Sequence, residues 1–258
     1  MDYSQAILLG IIQGIAEWLP VSSEGMVTLA GKFLAGLSYS DALGIAIWLH
    51  SGTLLAVLAY FHKDFIQIIQ SAYKKKAKKD LLIFLLLSTF SSALVAAPLL
   101  LLAFSVELPE ALFTILIGVF LVGIAFLQKT RSAGRHKQLK PFNAVITGVV
   151  QGFAALPGIS RSGVTVAALL AQEYSLKDSF KLSFLMSAPI VLGAQLALPL
   201  VKEGFTVDGP MLAGGLAAAL TGVATIRLLM DFAEKTDFFK ATLALGVLVM
   251  LAGLAMFL

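Results

Sequence analysis

Arg161 stands between two serines in Leu156-Pro157-Gly158-Ile159-Ser160-Arg161-Ser162-Gly163, and it is the one formal charge between Lys140 and Glu173. A guanidinium presents planar, bidentate donors that match a phosphate or a carboxylate. In surroundings this apolar it costs about 2.5–3.5 kcal/mol at a bilayer centre on insertion scales. An anionic ligand, a carboxylate, or both must offset that cost. Ser160, Ser162 and the amides that follow would add donors, and Thr165, one turn later, a further hydroxyl. The bland alternative is an arginine that pairs structurally or reaches the surface along its own stem. The whole run from Pro157 to Thr165, set in lipid, favours phosphate.

Two carboxylates supply the opposite charge. Gln13 and Glu17 are four apart and so share a helix face one turn before a break. Glu17 has three readings: metal ligand, water-orienting group, or neutraliser of Arg161. Oxygen ligands such as Glu17 and Gln13 suit Mg²⁺ or Ca²⁺ bridged by a substrate phosphate. Glu24 lies in the turn that opens the next helix, where pairing with Arg161 and catalysis are both open. Ser22 and Ser23 are helix caps or phosphate donors, with Ser23 the better candidate for phosphate. His50, in Trp48-Leu49-His50-Ser51-Gly52, is an intramembrane histidine and an accessory candidate on that ground. One hydrogen bond to a neighbouring helix would equally satisfy it.

These residues need two broken helices to carry them. Gly10 to Gly25 reads as a copy of Gly148 to Ser162: Gln-Gly and Leu-Pro recur, and with one residue deleted Ser23 falls on Ser160 and Glu24 on Arg161. Segments 4–35 and 142–172 are each apolar but interrupted by Leu-Pro and serines, which stop one helix and cap another. Each predicts a re-entrant helix pair. Six uninterrupted apolar stretches, 42–61, 81–106, 111–128, 182–201, 209–226 and 241–258, are long enough to span a bilayer. The basic links Tyr73 to Lys79 and Lys129 to Lys140 predict cytoplasmic loops, and the acidic turn Val106 to Glu110 an external one.

Three crossings per half would invert the second half relative to the first. The expected fold is therefore all-α and integral to the membrane: six transmembrane helices plus two re-entrant pairs in an inverted-topology repeat. Residues 1–258 would form a single membrane domain, with 1–130 the first repeat and 141–258 the second. Such repeats aim half-helix N-termini at anions near the midplane.

Composition agrees. The 258 residues are 59% hydrophobic and 13% charged, and the mean hydropathy is +0.92; a soluble domain of this length needs more polar surface. With no cysteine, disulfide and thiol chemistry are excluded. The basic residues lie in two short loops without interleaved aromatics, so no nucleic-acid partner is expected. The N-terminus has no basic stretch before its apolar run and reads as retained.

The motifs resemble the undecaprenyl pyrophosphate phosphatase family, of the bacitracin-resistance type. Its Glu/Gln-x-x-x-Glu followed by Leu-Pro-x-Ser-Ser stands here as Gln13 and Glu17 with Leu19-Pro20-Val21-Ser22-Ser23. Its Pro-Gly-x-Ser-Arg-Ser-x-x-Thr stands as Pro157 to Thr165, and His50 to Leu58 is also similar. The resemblance covers the whole chain. It implies hydrolysis of a polyprenyl diphosphate to the monophosphate, aided by a divalent cation, at the outer face of the cell membrane. Glu17, Ser23, Arg161 and Thr165 fall on family site positions. One departure is plain: Met26 stands where the family usually has histidine, two residues after a threonine position held here by Glu24. Glu24 or Glu17 activating water, attack by Ser23, and loss of hydrolysis all remain open. A non-hydrolytic carrier or binder of anionic lipid or small anions is the alternative function. A homodimer is a further expectation.

Overall fold

The computed structural model describes residues 1–19, 22–71, 79–105, 109–129, 138–156, 158–232 and 238–255, and all its regular structure there is helical. The basic links at 72–78 and 130–137, the acidic turn at 106–108, and Pro20 and Pro157 lie outside the described residues.

In chain order the helices are α1 (Tyr3–Ala16), α2 (Ser23–Ala35), α3 (Tyr39–Tyr60), α4 (His62–Ser71), α5 (Lys79–Ser105), α6 (Glu110–Lys129), α7 (Pro141–Gly152), α8 (Arg161–Ala171), α9 (Leu176–Val201), α10 (Gly209–Phe232) and α11 (Phe238–Ala255). A single 3₁₀ turn, Phe153–Ala155, follows α7. Both predicted interruptions are present, between α1 and α2 and between α7 and α8. Each predicted span falls on a helix. Among the described residues four helices are long and apolar enough to cross a membrane: Tyr39–Tyr60, Lys79–Ser105, Leu176–Val201 and Gly209–Met230. The chain is a membrane protein. Pro98 in α5 and Pro189 and Pro199 in α9 do not end their helices, because neighbouring helices and serine hydroxyls can satisfy freed carbonyls in such a bundle. The short amphipathic α4 has no counterpart in the sequence reading.

Neighbour relations come in matched pairs. Helix α1 packs on α10 as α7 packs on α5; α2 lies against α3 as α8 lies against α9; α3 meets α10 as α9 meets α5; and α6 packs on α11. The close approaches rest on glycine. A Cβ on Gly10 would stand 2.1 Å from the carbonyl oxygen of Gly214, and one on Gly148 would stand 2.3 Å from that of Ser88. The helices that follow the two interruptions also begin alike. Ser38 caps α3 and receives the Asp41 amide at 3.1 Å, while its hydroxyl donates to the Asp41 carboxylate at 2.6 Å. Ser175 and Asp178 repeat both bonds at the same lengths at the start of α9.

Apolar packing concentrates beneath the breaks. Trp18, Phe184, Phe84, Leu169, Leu185 and Tyr174 belong to one buried cluster, and the Trp18 ring meets the Phe184 ring edge-on at 5.3 Å. Outward faces carry Leu86, Phe90, Leu94, Leu196, Leu200 and Leu220, the side chains a lipid solvent favours.

Candidate functional site

At the first interruption Glu17 still donates its amide to Gln13 O at 3.0 Å, after which the chain leaves the helix. The next residue fixes the turn. Trp18 Nε1 donates to Gly222 O at 3.1 Å and to Thr225 Oγ1 at 3.0 Å, pinning the end of α1 to α10. Ser22 then adopts a left-handed backbone, φ 53°, and its hydroxyl accepts the Gly25 amide at 3.3 Å to open α2. A serine there is strained by an amount of order 1–3 kcal/mol, and the cap offsets part of that.

The second interruption takes a longer path. The 3₁₀ turn, Leu156 and Gly158, whose φ of 99° suits glycine, lead to Ser160, which accepts the Gly163 amide at 3.1 Å and caps α8. The caps correct the register expected from sequence. Ser22, not Ser23, is the counterpart of Ser160, and Gly25 that of Gly163; Ser23 and Arg161 are then the first residues of their helices. The caps need no deletion, because each capping serine stands equally far from its own glutamine, Gln13 or Gln151.

The two breaks meet. Arg161 Nη2 donates to Glu17 Oε1, and its Nη1 donates to Ser183 O of α9 at 3.3 Å. Glu17 Oε2 accepts from Gln13 Nε2 at 2.8 Å and from Ser23 Oγ at 2.7 Å, with His50 Nε2 at 3.2 Å. The other His50 nitrogen, Nδ1, lies 2.7 Å from Ala46 O, so the imidazole is held at both ends. Ser162 Oγ donates to Leu19 O at 2.9 Å and ties the second break to the first; Ser160 Oγ lies 3.3 Å from Ser162 Oγ.

Of the residues singled out in the sequence, Glu17, Ser22, Ser23, Glu24, His50, Ser160, Arg161 and Ser162 all line one polar cavity of about 30 Å³. Gln13 lies behind Glu17, fully buried. Thr165 is turned away: its hydroxyl lies 2.7 Å from Arg161 O and 2.5 Å from Ser183 Oγ, and it lines neither this cavity nor the larger one beside it. Met26 also lines neither and packs with Leu43, Ile47 and Leu198. Pairing of Glu24 with Arg161, left open by the sequence, is not what the structure shows; Glu17 takes that place.

A second cavity, of about 230 Å³, adjoins the first. Glu24, His50, Ala154 and Arg161 line both. Its other walls are mostly small and apolar, with Ala93, Ala96, Ala97 and Leu100 from α5, Val191, Ala194 and Ala197 from α9, and Ile47 from α3, and they include the side chains of Gln151 and Gln195. Sequence reasoning missed this slot, because alanines at helical spacing carry no sign of what they face. It also missed Ser183 and Trp18, although an indole beside a break is a signal that its N–H needs a partner.

As a metal centre the arrangement fits poorly. Among the described residues no three His, Asp or Glu side chains are grouped to hold a cation. Glu17 has donors on both oxygens, and the free oxygen of Gln13, Oε1, is buried without a hydrogen-bond partner but faces neither cavity.

Comparison with known proteins finds relatives along nearly the whole chain. The family described as bacitracin resistance protein BacA matches residues 6–249. A protein of Methanococcoides burtonii named undecaprenyl-diphosphatase is 40% identical over 97% of this chain and 98% of its own length. Proteins of the same name from Haloarcula marismortui and Syntrophotalea carbinolica are each 36% identical, the first covering 96% of both chains, the second 91% of this chain and 92% of its own. With this match over nearly its full length, the chain belongs to the bacitracin resistance protein BacA family.

Proposed function

We propose that the protein hydrolyses a polyprenyl diphosphate of the undecaprenyl type to the monophosphate and phosphate, recycling a lipid carrier used in building cell-envelope polymers. The observation that carries this reading is the junction of the two cavities. A slot walled mainly by alanine and aliphatic side chains, with Gln151 and Gln195 among them, opens onto a polar chamber at Arg161, Glu24 and His50. A ligand that suits both has an apolar chain and a charged head, as a lipid diphosphate does.

The head would lie at Arg161. Two of the five N–H donors of its guanidinium have protein partners, which leaves others for phosphoryl oxygens. Ser160, Ser162, Ser22 and Ser23 add hydroxyls on the same wall, and the open N-termini of α2 and α8 point positive dipole ends towards it. Phosphoryl transfer asks for little covalent chemistry beyond this. Placement and charge stabilisation supply most of the rate.

The divalent cation, Mg²⁺ or Ca²⁺, enters this proposal only as a counter-ion of the diphosphate substrate. No step is assigned to Gln13 or Glu17 as its ligand. In the bilayer we infer that α3, α5, α6, α9, α10 and α11 cross, that α1–α2 and α7–α8 re-enter from opposite faces, and that the site opens outward. The exchange-matched helix contacts and the twin Ser-Asp caps support the two-fold relation.

Phosphate release from C15 to C55 prenyl diphosphates by the purified protein tests the function. Arg161→Lys keeps the charge but loses the fork, and is expected to lower kcat/KM by about 10²–10³-fold, the range seen when one stabilising donor is removed. Uptake into proteoliposomes with no phosphate release at any divalent cation concentration would overturn the reading in favour of a carrier.

A further inference from the structure

The two carboxylates of the site are not equivalent. Glu17 is heavily engaged: Gln13, Ser23 and His50 crowd its Oε2, and Arg161 takes its Oε1. Its charge is already matched by Arg161, so a proton taken by Glu17 would weaken the pair that holds the guanidinium. Glu24 is the opposite case. It sits in the first turn of α2, its Oε1 is buried with no hydrogen-bond partner, and among the described residues no ion pair is formed by its side chain. A buried acceptor left open costs roughly 1–3 kcal/mol, more when charged. Such an atom calls for a donor that the protein does not supply.

The cavities show where the donor would come from. Glu24 lines both. The polar one, about 30 Å³, is roomy enough to hold a water. A water there would lie in a chamber walled by Glu24 and Arg161, beside the slot from which a terminal phosphate would approach. The charged and titratable groups around Glu24 are Glu17 at the end of α1, His50 of α3 and Arg161 of α8.

We propose that Glu24 is the catalytic residue that takes the proton from the attacking water, and that Glu17 is a positioning residue that holds Arg161, Ser23 and His50 in place. This rests on the phosphatase reading. The water oxygen bonds to the terminal phosphorus as its proton passes to the Glu24 carboxylate. The bond from that phosphorus to the bridging oxygen breaks, and its electron pair leaves with the lipid monophosphate. The proton on Glu24 then leaves with inorganic phosphate or returns to water, which restores the carboxylate.

The experiment compares wild type, Glu24→Gln and Glu17→Gln by phosphate release from farnesyl diphosphate between pH 5 and 9, with melting temperature as a folding control. Glu24→Gln is expected to lower kcat by about 10²–10⁴-fold, the contribution of a placed base. Its KM should stay within about threefold, and the acid limb of the pH–rate profile should vanish. Glu17→Gln is expected to raise KM and lower the melting temperature, because Arg161 loses its carboxylate. If Glu24→Gln fails to fold, Glu24→Ser read in the same way decides the matter. A Glu24 variant with wild-type kcat and pH profile overturns the assignment and leaves the phosphatase reading standing; a wild type that releases no phosphate overturns that reading itself.

Discussion

Among the individual residues, placement sorts hydroxyls that look alike in the sequence. Thr165 falls in the motif with Ser160 and Ser162, yet its hydroxyl meets Arg161 O and Ser183 Oγ instead of the cavity. Its role is to seat α8 on α9. Thr165→Val keeps the shape and removes the hydrogen bonds, each worth about 0.5–1.5 kcal/mol. We expect a lower melting temperature with KM for the prenyl diphosphate unchanged within about twofold; a large rise in KM would place the hydroxyl on substrate. Much of the site at this scale was legible beforehand, because an arginine and carboxylates in apolar sequence have few ways to be satisfied. Which carboxylate meets Arg161 was not legible. Glu17 and Glu24 are both near breaks, and their spacing does not tell which one faces the guanidinium.

For the helices, the breaks were foreseen from Leu-Pro and serine, and their meeting from Arg161 needing a counter-charge. The 3₁₀ turn was not foreseen, and matching the two Leu-Pro pairs by a deletion placed Ser23, rather than Ser22, opposite Ser160, although both caps lie equally far from Gln13 and Gln151. A pattern match counts residues, whereas a cap is set by which hydroxyl meets an amide. Small residues decide how closely the half-helices approach their partners. Gly148→Leu would drive a side chain into the Ser88 carbonyl, since even a Cβ would stand 2.3 Å away. Overpacking costs typically 1–3 kcal/mol and more where backbone must move. The expected result is a fall in melting temperature and in yield of monodisperse protein, with Gly123→Leu, where a Cβ would meet nothing within 4 Å, unaffected by size-exclusion chromatography and thermal melting.

Across the whole molecule, α9 packs on α3, α5 and α8 and is braced by polar contacts along its length. Lys202 donates to Asp41 at 2.8 Å and Lys181 to Asp64 at 2.9 Å, so the first half grips α9 near both its ends. Between them Gln195 Nε2 donates to Ile47 O at 2.6 Å, and Ser183 O receives Arg161. The membrane character was legible from hydropathy alone. This cross-bracing was not, because a lysine near the end of an apolar run reads as a boundary marker and gives no hint of its partner.

The ion pair at the centre joins residues 144 positions apart, and that separation has a consequence for biosynthesis. Glu17 enters the lipid long before the ribosome reaches Arg161, so the early hairpin must wait with an acid that has no base to answer it. Neither part can settle alone: breaking a buried pair typically costs 3–5 kcal/mol. Severed between Lys129 and Lys140, the two fragments should each be cleared by membrane proteases when made singly and persist when made together. Accumulation of either fragment by itself, seen on an immunoblot of the membrane fraction, would show that the charges do not govern assembly.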